Sequence, residues 1–369
     1  MDAASRIPGS SERLHSYNHS MTGCPVADPR RFAENLTDPF VRAAQAALQQ
    51  RPAADRELIA RYVQALDATA DDVIAASLRH APSPQCYRFM LQALDRAILD
   101  GDSAVGVRSY ALPLVIVTGG RPGVTIPGVL PEPERLVGLL RRAGVLGQTE
   151  NFAFSSALAD ERGLAAIPPS RLRALATGRA PDWADLDLPP HDIITSRTQE
   201  EVHLRFLVCA GVIPLGAPTL TETAAAIDLW GLAFTRELSE QLSAGEVSLL
   251  PIPRPPLSFI LAPGAGFVAR EELALQAFVS RELRQFRTEV GEAEARIAPL
   301  ASGALGLRFA SPFIEERVPV HRRDLHPQEE MDQVLAGMLE LLRECGLENV
   351  EVEAAVVADE DFGRPWRRH

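Results

Sequence analysis

Leu257-Ser258-Phe259-Ile260-Leu261-Ala262-Pro263-Gly264-Ala265-Gly266-Phe267-Val268-Ala269-Arg270 is the stretch on which the fold turns. Leu257–Ala262 is an apolar run of strand length, and two glycines separate it from residues with helical spacing. Leu275, Val279, Leu283, Phe286 and Val290 then recur three or four apart, the stripe of an amphipathic helix that closes at Gly291. The run therefore reads as strand, glycine-rich turn, and a helix opening at Ala269.

Working outward, Glu246–Ile252 supplies strand material before this unit. After it come two strands, about Ala295–Leu300 or Leu305–Ala310 and then Glu315–His321. A further helix has Pro327 in its first turn, Met331, Val334, Leu335, Met338 and Leu342 facing inward, and Gly346 as its cap. Val350, Val352, Ala354 and Val356 alternate in a last strand. From residue 246 the order is βαββαβ, which resembles the split arrangement of ferredoxin-like domains.

Upstream, Val202–Val212 alternates as a half-buried strand, with Val202, Leu204, Phe206 and Val208 on one face. Thr219 and Glu222 form a capping box for a helix carrying Ile227, Trp230, Phe234, Leu238 and Leu242. Leu112–Val117 and Phe152–Leu158 are compact strand candidates around a helix at Pro133–Ala143, closed by Gly144. That helix end, Leu139 to Gly144, echoes Leu341 to Gly346, as two helix ends before a capping glycine do. Alanine-rich helical patterns cover Pro39–Gln50, Asp55–Leu66, Asp71–His80 and Pro84–Leu99.

The expected fold class is α/β (α+β). A tail at 1–30 precedes a helical unit at 31–104 and a first α/β unit at 105–167. A linker at 168–199, a C-terminal α/β domain at 200–358 and a tail at 359–369 follow.

All 37 side chains counted as lysine or arginine are arginine. Arginine stays charged, so nucleophilic, Schiff-base and Walker-type lysine chemistry is excluded. Asparagine is confined to Asn18, Asn35, Asn151 and Asn349, as a GC-rich bacterial genome would favour. A net charge of −12 argues against bulk attraction to nucleic acid or anionic membrane, although Arg364 to His369 forms a local basic end. Cys24, Cys86, Cys209 and Cys345 are widely spaced without a CxxC, which fits reduced thiols in a cytoplasm. No apolar run reaches membrane-spanning length. Met21-Thr22-Gly23-Cys24 is similar to a lipoprotein cleavage site but follows a polar stretch, and Met21 is a candidate start.

Gly264-Ala265-Gly266-Phe267-Val268-Ala269 is the strongest chemical motif. It resembles the G-x-G-x-x-A fingerprint of dinucleotide-binding proteins over about 20 residues, with Glu271 nearby. The resemblance implies that Gly264, Gly266, Ala269 and Arg270 approach a pyrophosphate through backbone amides at a helix N-terminus. It stops there, because no acidic residue closes the following strand and Pro263 interrupts the preceding one. Thr118-Gly119-Gly120 resembles the cofactor turn of short-chain dehydrogenases, whose tyrosine–lysine pair this chain cannot supply. Gly119, Gly120 and Arg121 remain an anion-binding candidate through amides and a planar guanidinium.

Metal candidates are incomplete: His15, His19 and Cys24 lack a fourth ligand, His321 and His326 straddle Asp324, and His191-Asp192 stands without companion histidines. No G-x-S-x-G elbow exists, the cysteines read as core residues, and Glu315-Glu316 and Glu351/Glu353 read as solvated strand carboxylates. No cofactor or metal is expected. The sequence thus points to a cytoplasmic binding or regulatory module without catalysis, working through a protein partner, a small ligand or self-association. The alternative is an enzyme holding a nucleotide cofactor at Gly264–Ala269.

Overall fold

The computed structural model describes residues 78, 81, 83–99, 105–118, 122–147, 152–167, 188, 192–195, 201–214, 220–242, 250–289, 293–310 and 318–363. The 1–30 tail, the helical patterns from 39 to 66, Gly119, Gly120, Arg121 and most of the 168–199 segment lie outside the described residues, as does nearly all of Asp71–His80.

Helix α1, Pro84–Leu99, starts where Ser83 caps it, its hydroxyl accepting from the Cys86 amide at 3.2 Å. It buries Cys86, Phe89, Met90 and Leu91. Strand β1 runs from Val105 to Thr118, well beyond the apolar core Leu112–Val117 that the pattern marks. Next come β2 (Thr125–Ile126), α2 (Pro133–Arg142), β3 (Phe152–Ala159) and the short α3 (Glu161–Ala165). Gly144 closes α2 at φ 72, a left-handed turn that favours glycine. Ile193–Ile194 forms β4, which pairs with β2, so the linker region contributes a strand.

Strand β5, Glu201–Pro214, pairs with β1 along its whole length, from Val105 opposite Pro214 to Thr118 opposite Glu201. A short α4 (Leu220–Thr223) precedes α5 (Ile227–Leu242), so the helix expected to run on from Thr219 is interrupted at Ala224–Ala226. The Ala224 carbonyl freed there accepts from the buried Trp230 indole at 3.0 Å. Strands β6 (Leu250–Pro253) and β7 (Leu257–Ser258) then both pair with β1 on its other edge.

The first sheet therefore runs β3-β5-β1-β6, with β7 beside β6 and all pairings antiparallel. The segments read as 105–167 and 200–358 share it. Both faces are buried. Tyr110, Leu112, Leu114, Ile116, Leu207 and Cys209 pack with Trp230, Phe234 and Leu238 of α5 on one side. Ala111, Val115, Leu204, Phe206 and Val208 pack with Phe89 and Met90 of α1 on the other. Each large side chain so buried contributes about 1.5–3 kcal/mol. Pro113 sits in this central strand, where a missing N–H would break a ladder bond. The Ser109 carbonyl accepts from Phe259 at that edge, so by the period of two Pro113 faces the same edge, in the gap between β7 and β6.

Helix α6 spans Ala262–Glu289, 28 residues. It starts seven residues before the expected Ala269, and β7 ends at Ser258 rather than Ala262. Pro263 stands in its first turn, where no amide donor is needed. At 1.5 Å per residue the helix is about 42 Å long, and its two ends serve two cores. Ala262, Ala269 and Leu273 pack on the first sheet. Leu275, Phe278, Val279, Leu283 and Phe286 pack on a second.

That second sheet comprises β8 (Glu294–Pro299), β9 (Leu305–Ala310), β10 (Val320–Arg323) and, after α7 (Met331–Glu344), β11 (Val350–Val352). Its order is β10-β9-β8-β11, with only β11 and β8 parallel. The βαββαβ expectation needs a strand before α6 in this sheet. The strands there, β6 and β7, belong to the first sheet instead, where both pair with β1. Gly346 closes α7 at φ 75. Asp359–Phe362, read as tail, forms α8, and Phe362 is buried under Arg308, whose guanidinium donates to the Phe362 carbonyl at 3.0 Å. Among the described residues no helix is long and apolar enough to cross a membrane.

Candidate functional site

The first turns of α6 carry side chains on two opposed faces, because residues three or four apart on a helix lie together. Ala262, Gly266, Ala269 and Leu273 form the face toward the sheet. A Cβ on Gly266 would stand 2.6 Å from the Phe206 ring, so glycine there permits close helix–sheet packing. Gly264, Phe267, Arg270 and Glu271 form the other face. They line a cavity of about 500 Å³ closed by Tyr87 and Leu91 of α1, Glu161 and Leu164 of α3, Phe259, and His326.

The motif residues are thus divided. Gly264 and Arg270 reach the cavity, whereas Gly266 and Ala269 support the sheet. Their backbone lies within the helix, and the Ala265 amide already donates to the Leu261 carbonyl at 3.1 Å. A free phosphate-binding turn between strand and helix is not formed at 264–269. Gly119, Gly120 and Arg121 lie outside the described residues.

Five charged side chains run in series from this cavity: Glu161, Arg270 and Glu271 line it, while Arg323 and Glu329 lie behind it, against the concavity between α6 and the helix at Met331–Glu344, α7. Arg270 Nε lies 2.6 Å from Glu161 Oε1, close but not aligned for a hydrogen bond, and Arg270 Nη1 lies 3.2 Å from Glu271 Oε1. Glu271 Oε2 accepts from the Asp324 amide at 3.2 Å and lies 4.0 Å from Arg323 Nη1. Arg323, whose side chain is 2% exposed, pairs with Glu329 at 2.6 Å and also donates to the Asp324 carbonyl. Glu329 in turn accepts from the His326 amide at 2.8 Å. Buried carboxylates and guanidinia tolerate such a site only when each has a partner.

His326 closes the cavity opposite Gly264. Its Nδ1 accepts from the Gln328 amide at 3.3 Å, which places the ring proton on Nε2. Tyr87 meets the ring edge-on with centroids 5.3 Å apart, and Phe267 lies tilted at 5.5 Å. Gly264 makes room for it, since a Cβ there would stand 3.0 Å from His326 Cε1. Burial pushes the imidazole down to about 4, so it is neutral at neutral pH. The Tyr87 hydroxyl is pushed up by burial and stays protonated.

The other candidates do not converge on this cavity. His321 stacks on Phe278 at 5.1 Å and faces a groove between β5 and α6 with His203. Among the described residues no group of three histidines, cysteines, aspartates or glutamates could hold a metal ion. Asp192 accepts from the Gly128 amide at 2.8 Å, while His191 lies outside the described residues. Cys86 and Cys209 are buried with their thiols pushed up by desolvation, unsuited to nucleophilic attack. Glu351 and Glu353 pair with Arg296 at 2.6 and 2.8 Å. Glu161, Glu329 and Tyr87 escaped the sequence reading because they reach the site from segments far apart in the chain. The one available signal was Pro263, which marks the helix start that turns Gly264 and Arg270 toward His326. No protein-family model, no curated protein and no solved structure matches this chain.

Proposed function

We propose that the chain is a binding module whose pocket, beside His326 and the start of α6, takes a small molecule with a flat apolar body and a hydrogen-bond acceptor. The observation that carries this reading is the state of His326. A general base must offer a lone pair to its substrate, but the Nδ1 lone pair is engaged by Gln328 and Nε2 carries hydrogen. A neutral imidazole held this way is a fixed donor, and its Tyr87 and Phe267 neighbours supply aromatic faces for the apolar body. A volume of about 500 Å³ suits a small ligand of this kind.

Saturation-transfer NMR on the full chain tests it, with benzamide and nicotinamide as ring-plus-carbonyl probes and NAD, FAD and ATP as nucleotides. The ring amides should bind saturably and weaken at least tenfold in His326→Leu, which keeps the apolar volume. Ring amides that bind His326→Leu and the parent protein equally would refute the assignment. Nucleotide binding that survives His326→Leu but is lost in Gly264→Ala would favour a nucleotide-dependent enzyme instead.

A further inference from the structure

A second concavity, of about 700 Å³, lies between α6 and α7, and its chemistry differs from that of the His326 pocket. Helix α7 presents Gln333, Gly337, Glu340 and Glu344 three or four apart, on one face. Helix α6 faces them with Val268, Glu272 and Leu275. The floor is apolar, with Leu275 and Met338 buried and Val334 and Leu341 half-buried.

Two features of this groove are unexplained by the fold alone. Glu272, Glu340 and Glu344 are exposed along it and have no ion-pair partner among the described residues. Glu340 and Glu344 stand four apart on one helix, where like charges repel. Gly337 is the other feature. Glycine disfavours helix more than any residue but proline, and a Cβ here would meet nothing within 4 Å. No packing inside the molecule calls for glycine, yet its absence of a side chain leaves a notch of backbone width in the groove wall.

We propose that this groove docks a basic amphipathic helix of a partner protein. Such a helix would lay its apolar stripe on Val334 and Leu341, the partly accessible members of the floor above Leu275 and Met338. Its arginines or lysines would neutralise Glu272, Glu340 and Glu344, and its backbone would come nearest at Gly337. Charge complementarity selects this occupant: Arg88 and Arg323 also line the groove but are paired with Glu330 and Glu329, so an acidic or neutral helix would leave the three carboxylates crowded and unpaired.

Fluorescence anisotropy with the full chain tests the proposal, using a dye-labelled 18-residue leucine/arginine peptide of helical periodicity. A peptide of identical composition but scrambled order controls for simple attraction to an acidic protein. The amphipathic peptide should bind saturably, at least tenfold more tightly than the scrambled one. Its affinity should fall at least tenfold in the paired variant E340Q/E344Q and in Gly337→Leu, which blocks the notch without changing charge. Leucine favours helix, so unchanged circular dichroism and a melting temperature no lower than the parent's will show that Gly337→Leu still folds. Equal binding of the two peptides, or an affinity within twofold for Gly337→Leu, would overturn the proposal. A dimer of the protein alone that Gly337→Leu abolishes would also overturn it, by giving the groove to a second copy.

Discussion

Acidification from pH 7 to 4.5 should remove stability in part through His326, the histidine held lowest. An unfolded histidine titrates near 6.5, whereas the folded ring, desolvated among Tyr87, Phe267 and Gly264, resists protonation down to about 4. The sign follows from proton uptake. Below about pH 6.5 the unfolded chain binds a proton that the folded ring refuses, so the folded state loses ground. The loss develops as pH falls from about 6.5 to about 4 and levels off below. At about 1.4 kcal/mol per pH unit the whole interval would correspond to about 3 kcal/mol. The ring is partly exposed, and solvent screening reduces this to about 1–2 kcal/mol. Urea denaturation of the parent and His326→Gln at pH 7 and 4.5 isolates this contribution. His203 and His321, also held low by burial and neighbouring arginines, titrate in both proteins and cancel. Parent and variant that lose the same stability over that range would refute the placement of His326 in a desolvated pocket.

Two helical glycines should respond to alanine with opposite signs. Gly266→Ala drives a methyl into the fully buried Phe206 ring and should cost about 1–3 kcal/mol, as overpacking does. Gly337→Ala meets open space and should stabilise by about 0.5–1 kcal/mol. Chemical denaturation midpoints read both. Arg323→Met would leave the half-buried Glu329 without its cation and Glu271 with Arg270 alone, and should cost about 3 kcal/mol, visible as a lower melting temperature. An unchanged melting temperature there would contradict the burial of this ion series.

Much of the secondary structure was legible because its signals are local. Pro133 and Gly144 bracket α2, Gly346 ends α7, and the Trp230–Phe234–Leu238–Leu242 stripe is the buried face of α5. The alternation in Val202–Val212 located β5 but suggested one buried face. Both faces are buried, since helices cover the sheet on each side. Leu257–Ala262 misled because a short apolar run has no period that separates strand from helix. Its end, Phe259 to Ala262, turns into α6, and Pro263 belongs to a helix start rather than a broken strand. Which sheet β6 joins was hidden, because pairing partners more than 130 residues apart leave no local trace. Of the candidate site, Gly264 and Arg270 were singled out for the wrong local geometry but do line a cavity. His326 was read as a residue beside a helix start. Its surroundings depend on Tyr87, Phe267 and Gln328 converging in space, which no spacing records.

The most direct measurement is the tautomer and charge of the His326 ring, from long-range ¹⁵N–¹H NMR correlations on the full chain between pH 7 and 4. The account predicts an unprotonated Nδ1 accepting from Gln328 and a protonated Nε2, unchanged until the pH falls below about 5. A proton on Nδ1, or an imidazolium already present near pH 6.5, would contradict it.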